Sequence, residues 1–546
     1  MVLTTLRTVT ARALVLPRRL RAASLAAIAA LLATTTPATA LDGSGRAPVE
    51  VLVREVVGAG SAAEHAVQRL GGTVTQELPI VGGFAARVPA RALSALSGMR
   101  GVISDVVPAG KITFNGSYGQ GSGVASAVYP TVVGADQAWK AGYTGQHVGV
   151  AVIDTGINAT GDLAGKVVHS EDFSGEGDGV DRFGHGTFIA GLIAGSGAAS
   201  NGGVRGIAPD ADLISLKIAG RDGSADITHV MAALQWAVSF KDVYNIRVVN
   251  LSLGTNSTQD YRIDPLDAAV ERAWQAGLVV VVSAGNSGPG AGTINKPADD
   301  PYVLTVGASS DRTTPGTGDD TVPSFSGTGP TAANGLAKPD LVAPGTSVIS
   351  SRVPGSYVDN AFPSARVGTA YFKGSGTSFA TGVTSGAAAL VLSRTPSLTP
   401  DQVKARLTDT ATAGPVTDRN KVGAGWLNAY GATMSDSTAS ANQGLTPSLG
   451  TGSLQLSRGS LSVNIQTGTV LNALGQLIPV FACLTGNLTA QNTVFDAPTY
   501  FTSDWTTSSW YTSSWYTSSW YTSSWYTSSW YTSSWYDSNW YAADWT

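Results

Sequence analysis

The strands this sequence writes most plainly have no polar face. Residues 148–153 and 278–282 carry only apolar side chains and glycine, and 213–218 and 248–253 come close to that. They alternate with stretches of helical spacing at 227–237 and 265–275, and Thr399-Pro400-Asp401-Gln402 opens a further helix with an N-cap hydroxyl, proline at the first position and glutamine at the third. A strand that is apolar on both sides must be covered on both sides, and repeated βα alternation makes the strands parallel. The expected fold is therefore α/β, a parallel sheet flanked by helices on both faces, finishing near residue 435. In such sheets ligands bind beyond the carboxyl ends of the strands.

Chemistry-bearing residues cluster at those ends. Val152-Ile153-Asp154-Thr155-Gly156 closes one strand, Ser252 and Asn286 follow two others, and His185 and Ser378 open helices in Phe183-Gly184-His185-Gly186-Thr187 and Gly374-Ser375-Gly376-Thr377-Ser378-Phe379-Ala380. A serine hydroxyl is a poor nucleophile at neutral pH. It needs a base to take its proton and a third group to hold that base in the right tautomer. Of the five histidines, His185 alone stands between two glycines at a predicted helix start. An aspartic protease would need a second Asp-Thr-Gly to complete its carboxylate pair, and the sequence has one.

A smaller unit precedes the sheet. Residues 49–53 alternate like a strand, 61–70 have helical spacing, 82–88 form a strand, 90–99 are helical, and 102–103 with 106–107 suggest a closing strand pair. The order is βαββαβ-like, a small α+β, ferredoxin-like domain.

Asp154-Thr155-Gly156, Gly184-His185-Gly186-Thr187, Val249-Asn250-Leu251-Ser252-Leu253-Gly254, Ser283-Ala284-Gly285-Asn286 and Gly376-Thr377-Ser378-Phe379-Ala380, in that order, resemble the subtilisin-like serine proteases over residues 135–432. The resemblance implies Ser378 as nucleophile, His185 as general base and acid, Asp154 as the group that orients it, and Asn286 with the Ser378 N–H as oxyanion donors. It implies that Ser252, Leu253 and Gly254 form an edge to which an extended polypeptide substrate adds as a strand, with Gly223 on the matching edge across the cleft. Asn295 and Lys296-Pro297 would floor the pocket for the side chain at the cleavage site, suited to medium or large apolar groups. The unit at 41–115 would be an inhibitor-type propeptide, removed by Ser378 itself at a point between about 114 and 133. No cofactor is required for the chemistry. Such proteases often bind structural calcium, and Asp172, Asp178, Asp181, Asp299 and Asp300 offer oxygens, but without a Ca-loop spacing no ligands are assigned and the acids read as solvated loop residues. Two positions depart from the family pattern: Phe188 where a second histidine is usual, and Gly382 where proline is usual.

The ends of the chain carry other signals. Residues 1–40 hold five arginines and no acid, an apolar run at 22–32 and a Pro-Ala-Thr-Ala end, the pattern of a signal peptide. Removing those arginines from the 34 basic residues leaves 29 against 38 acids, a formal charge of −9 that argues against nucleic acid as a partner. The lone Cys483 reads as a small buried hydrophobe. Residues 436–455, rich in Ser, Thr, Gly and Asn, read as a linker, and 456–500 as a small β unit. Residues 501–546 are a Trp-Tyr-Thr-Ser-Ser array with nine of the chain's 13 tryptophans. A period of five gathers the rings on one side of neither a helix nor a strand, and contact with glycans or the cell envelope is one use for them. The expectation is a monomeric, secreted or surface-associated enzyme. The alternative is a catalytically dead envelope scaffold attached through that tail.

Overall fold

A computed structural model describes residues 48–108 and 126–459, and the backbone of short strands at 111–114, 117–118, 463–464 and 469–470. From Val49 onward these residues belong to one unit. The signal peptide, Cys483, the repeat array and nearly all of the 456–500 segment lie outside the described residues.

The first 60 described residues form β1 (Val49–Glu55), α1 (Ala62–Arg69), β2 (Thr73–Leu78), β3 (Gly83–Val88), α2 (Leu93–Ser97) and β4 (Ile103–Pro108). The strands pair antiparallel in the order β2-β3-β1-β4. Alternation along β1 sends Val49, Val51 and Val53 into this unit's own core with Val67, Phe84 and Leu96, and Leu52 into the core shared with the rest of the protein. Leu78, Ile80 and Val81 join that shared core, and Gln235 accepts a hydrogen bond from the Ile80 N–H at 3.0 Å. β4 is one strand rather than a pair, because Asp105 opposite Arg54 continues the pairing with β1 between the two apolar stretches, with the register shifting at Ser104.

After β5 (Lys111–Phe114) and β6 (Ser117–Tyr118) come β7 (Gly149–Asp154), β8 (Val167–Asp172), β9 (Asp212–Lys217), β10 (Ala225–Asp226), β11 (Ile246–Leu251), β12 (Leu253–Gly254), β13 (Val279–Ser283), β14 (Leu304–Ser309) and β15 (Leu341–Pro344). Seven of these make the central sheet, in the order β15-β14-β13-β11-β7-β9-β8, with every pair parallel. β7, β13 and β14 are buried at every residue, so both faces are covered. The covering helices are α3 (His185–Ala194), α4 (Ile227–Phe240), α5 (Pro265–Gln275), α6 (Thr377–Arg394) and α7 (Pro400–Asp409). The strand order turns back on itself beside β7 and β11, which opens a crevice where Asp154 and Ser252 emerge. A separate antiparallel sheet, β16 (Val348–Ser351), β17 (Arg366–Val367) and β18 (Tyr371–Ser375), runs into the start of α6. No helix among the described residues is long and apolar enough to cross a membrane.

Residues 436–455 are not a loose linker. Their backbone amides bond to the unit built on the central sheet: Ser448 N–H to the Glu271 carboxylate at 2.8 and 2.9 Å, Leu449 N–H to the Arg262 carbonyl at 2.7 Å and Ser453 N–H to Gln259 at 2.8 Å. Small polar residues serve here as short hydrogen-bonding connectors, which composition alone does not distinguish from a flexible tether.

Candidate active site

Asp154 ends β7 fully buried, and its carboxylate accepts a hydrogen bond from its neighbour, the Thr155 N–H, at 2.8 Å. Nδ1 of His185, itself 1% exposed, lies 2.8 and 3.0 Å from the two Asp154 oxygens. A neutral imidazole held this way carries its proton on Nδ1 and presents Nε2 as the basic nitrogen. The glycines beside His185 make this approach possible. Gly184 sits at φ 103°, and a Cβ on Gly186 would lie 2.3 Å from the Gly156 carbonyl and 3.1 Å from the Asp154 side chain.

Asp181 fastens the loop that delivers the histidine. It accepts from the N–H groups of Gly184 and Thr187, from the Thr187 hydroxyl and from the Thr155 hydroxyl, all between 2.6 and 2.9 Å. Burial pushes its carboxyl pKa up, against the pull of these donors. Asp181 is thus a buried structural acid, not a solvated loop residue, and so are Asp299 and Asp300. Asp299 binds Lys296 Nζ at 2.6 Å, Asp300 accepts from the Tyr302 N–H at 2.8 Å, Asp172 accepts from Ser174 and Gly177, and Asp178 pairs with Arg182. Among the described residues no three acids, histidines or cysteines gather as a metal site. No calcium ligand set is therefore assigned among these acids.

Ser378 is the second residue of α6 and fully buried, where backbone N–H groups and the helix dipole favour negative charge. Its hydroxyl donates to the Ser252 carbonyl at 2.9 Å, and the Ser252 hydroxyl donates back to the Ser378 carbonyl at 3.0 Å. Asn250 Nδ2 donates to Ser252 Oγ at 2.9 Å, and Ser385 Oγ to Asn250 Oδ1 at 3.0 Å. The ring of Phe379, next in sequence to Ser378, stands 5.7 Å from that of His185. Asn286 has its side-chain oxygen engaged by Thr377, through N–H at 3.0 Å and Oγ1 at 2.8 Å. This fixes the amide so that Nδ2 is the end available to a ligand. Asn250, Thr155 and Thr377 lie within the quoted motifs, but sequence reasoning gave them no role. The available signal was Asn250, a buried polar residue flanked by Val248, Val249 and Leu251 in the strand.

Two edges flank this centre. β5 lies between β10 and β12, antiparallel to both, with Thr113 opposite Gly254, Phe114 opposite Leu253 and Ile112 opposite Ala225. β6 pairs with β18, Ser117 opposite Ser375. The edge expected at Gly223 thus falls two residues later, because Gly223 occupies a turn at φ 70° with its N–H bonded to the Gly220 carbonyl. Asn295 fills the space between Gly254 and Gly285. A Cβ on Gly254 would come 1.9 Å from Asn295 Nδ2, and the buried Asn295 Oδ1 meets no donor among the described residues. The side chain of Lys296 turns away from Gly254. It is buried in an ion pair with Asp267 and Asp299.

Phe188 and Gly382 both serve the contact between α3 and α6. The Phe188 ring packs 4.4 Å from that of Phe379, and Gly382 faces Leu192 and Ile189.

Residues 145–433 match the model of the Subtilase family. The serine protease AprX of Bacillus subtilis (strain 168) is 44% identical over 292 residues, which cover 52% of this chain and 66% of that protein. Subtilisin DY of Bacillus licheniformis is 36% identical over 285 residues, 52% of this chain and 89% of that one. The crystal structure of fervidolysin from Fervidobacterium pennivorans, a keratinolytic enzyme related to subtilisin, shares the fold with a TM-score of 0.57 at 22% identity, over 71% of this chain and 61% of that chain.

Proposed function

The chain belongs to the subtilase family, and from that premise we propose that it is a secreted serine endopeptidase made as a zymogen. The observation that carries the reading is the buried Asp154–His185 pair at the sheet's crevice, beside a helix start that holds Ser378 and the oriented Asn286 amide. Ser378 turns its proton from the Ser252 carbonyl to His185 Nε2 and attacks the scissile carbonyl. His185 then delivers that proton to the leaving amine. Asp154 stabilises the imidazolium without taking the proton, and Asn286 Nδ2 with the Ser378 N–H binds the tetrahedral oxyanion. Water releases the acyl group by the same steps in reverse, with no cofactor.

A polypeptide substrate adds between β10 and β12, where main-chain pairing tolerates many sequences. The antiparallel seating of β5 on those two edges supports this, and supports reading residues 41–115 as an inhibitory, ferredoxin-like propeptide whose exit strand occupies the cleft. Cleavage by Ser378 beyond β5 severs the propeptide, and its departure leaves the mature enzyme. Comparing the full chain with Ser378→Ala tests this directly. The parent shortens from its N-terminus and hydrolyses protein substrate, and the variant stays uncut and inactive. A Ser378→Ala chain that matures unaided or retains activity overturns the reading.

A further inference from the structure

The segment 445–458 lies beyond the family match yet touches both halves of the molecule. One face is bound to the catalytic unit around α5: Ser448 N–H to Glu271, Ser448 Oγ to the Asp264 carbonyl at 3.1 Å, Ser457 Oγ to Asp264 Oδ1 at 2.8 Å, and Thr255 Oγ1 to the Ser457 carbonyl at 2.8 Å. The other face meets β1 of the N-terminal unit. Arg54 projects from that strand and is 2% exposed. Its Nη1 donates to the Gly450 carbonyl at 2.9 Å and its Nη2 to the Gly452 carbonyl at 2.7 Å, with Asp105 of its own unit 3.3 Å from Nη2.

A guanidinium is costly to bury unless its charge is matched and its donors find acceptors. Asp105 supplies charge from within the N-terminal unit, and both terminal nitrogens also donate to carbonyls of the segment. Those two glycine carbonyls therefore form a socket fitted to one side chain of the N-terminal unit. A cut between 108 and 126 separates that unit covalently and leaves socket and arginine together, since the segment is attached at the far end of the catalytic unit.

We propose that residues 445–458 are a docking strap for the N-terminal unit, anchored on Arg54, which keeps that unit seated on the catalytic unit after the connecting chain is cut. The inference rests on the propeptide reading above. Its consequence is that release of the inhibitor, rather than cleavage, sets when activity appears, and that the strap sets the release rate.

The test uses the full chain with Ser378→Ala and a recognition sequence for an unrelated site-specific protease inserted within 119–125, so that the cut is supplied in trans. Retention of the N-terminal fragment is followed by native mass spectrometry after dilution. Arg54→Ala and a chain ended after residue 444 release the fragment about tenfold or more faster than the parent, as expected for losing two charge-assisted hydrogen bonds. Arg54→Lys falls between, and a chain ended after residue 459 matches the parent. Equal retention by folded Arg54→Ala and 444-ended chains overturns the proposal, as does a 459-ended chain that releases as fast as the 444-ended one. Because the cut is imposed, failure of the active chain to process itself would count against the propeptide reading alone.

Discussion

Ser252 and Ser378 hold one another through two hydrogen bonds, each hydroxyl donating to the other's main-chain carbonyl, at 3.0 and 2.9 Å. The edge at the end of β11 proposed to bind substrate is thereby tied to the proposed nucleophile at the start of α6, and Asn250 and Ser385 extend the tie. Replacing Ser252 with alanine keeps its carbonyl but breaks its own donation and strands the buried Asn250 amide. Losing a buried hydrogen bond of this kind costs about 1–2 kcal/mol. We expect kcat on a peptide substrate to fall about tenfold with KM little changed. A change confined to KM would show that Ser252 only binds substrate.

Asn286 makes a separate prediction. Its oxygen is held by Thr377, so alanine there removes one oriented donor and little packing. The expected loss in kcat is the roughly hundred- to thousandfold known for the oxyanion asparagine of subtilisin, with KM near the parent value. Thr377→Val should reproduce part of that loss by letting the amide turn. A Thr377→Val enzyme with full activity would mean that the helix start alone fixes the amide.

Gly382 lies inside α6, where the atoms nearest to an added Cβ would be Leu192 Cβ at 3.4 Å and Ile189 at 3.5 Å. That is contact distance rather than overlap. Alanine should therefore fit and recover up to ~1 kcal/mol of helix propensity, raising the Tm of the catalytic unit by about 2 °C. A lower Tm would mean that α3 and α6 cannot part by the small amount needed.

The N-terminal unit carries a pH dependence of defined sign. Burial, reinforced by the nearby Glu64 carboxylate, pushes Glu55 up from its ordinary value of 4.5 to about 9 and Glu77 to about 7. Both acids are more easily protonated folded than unfolded. The stability they contribute is thus complete below about pH 4.5 and is lost as pH rises through 7 and then 9. Urea unfolding of this unit within the intact Ser378→Ala chain should show stability falling between pH 5 and 9. Glu77→Gln should flatten the lower part of that slope, and an unchanged slope would assign it to other groups.

Four strands of the sheet were readable because they are largely apolar on both sides; β7, β9, β11 and β13 fall within two residues of the segments read from hydrophobicity and α5 matches its segment, whereas the short β14 and β15 were not read. β2 and β8 were missed for the opposite reason. Thr-Val-Thr-Gln-Glu-Leu and Val-Val-His-Ser-Glu-Asp lie at sheet edges, where one side meets water and periodicity fades. At the site, residue types announced the proposed reacting groups, but the bonds of Thr377 to Asn286 and of Ser385 to Asn250 span 91 and 135 residues, and the local role of Asp181 as acceptor for the loop after it has no signature beyond an acid. The strap at 445–458 was illegible for a related reason: its grip on Arg54 uses glycine carbonyls, and a backbone acceptor leaves no mark in the sequence.

Activation of Ser378 by His185 underlies every step of the proposed hydrolysis. Treating the matured chain with a biotinylated fluorophosphonate and mapping the adduct by mass spectrometry tests that claim directly. The expected result is a single modified serine, Ser378, with labelling abolished in His185→Ala. Absence of label on a folded, cut protein, or equal labelling in the His185→Ala variant, would contradict it.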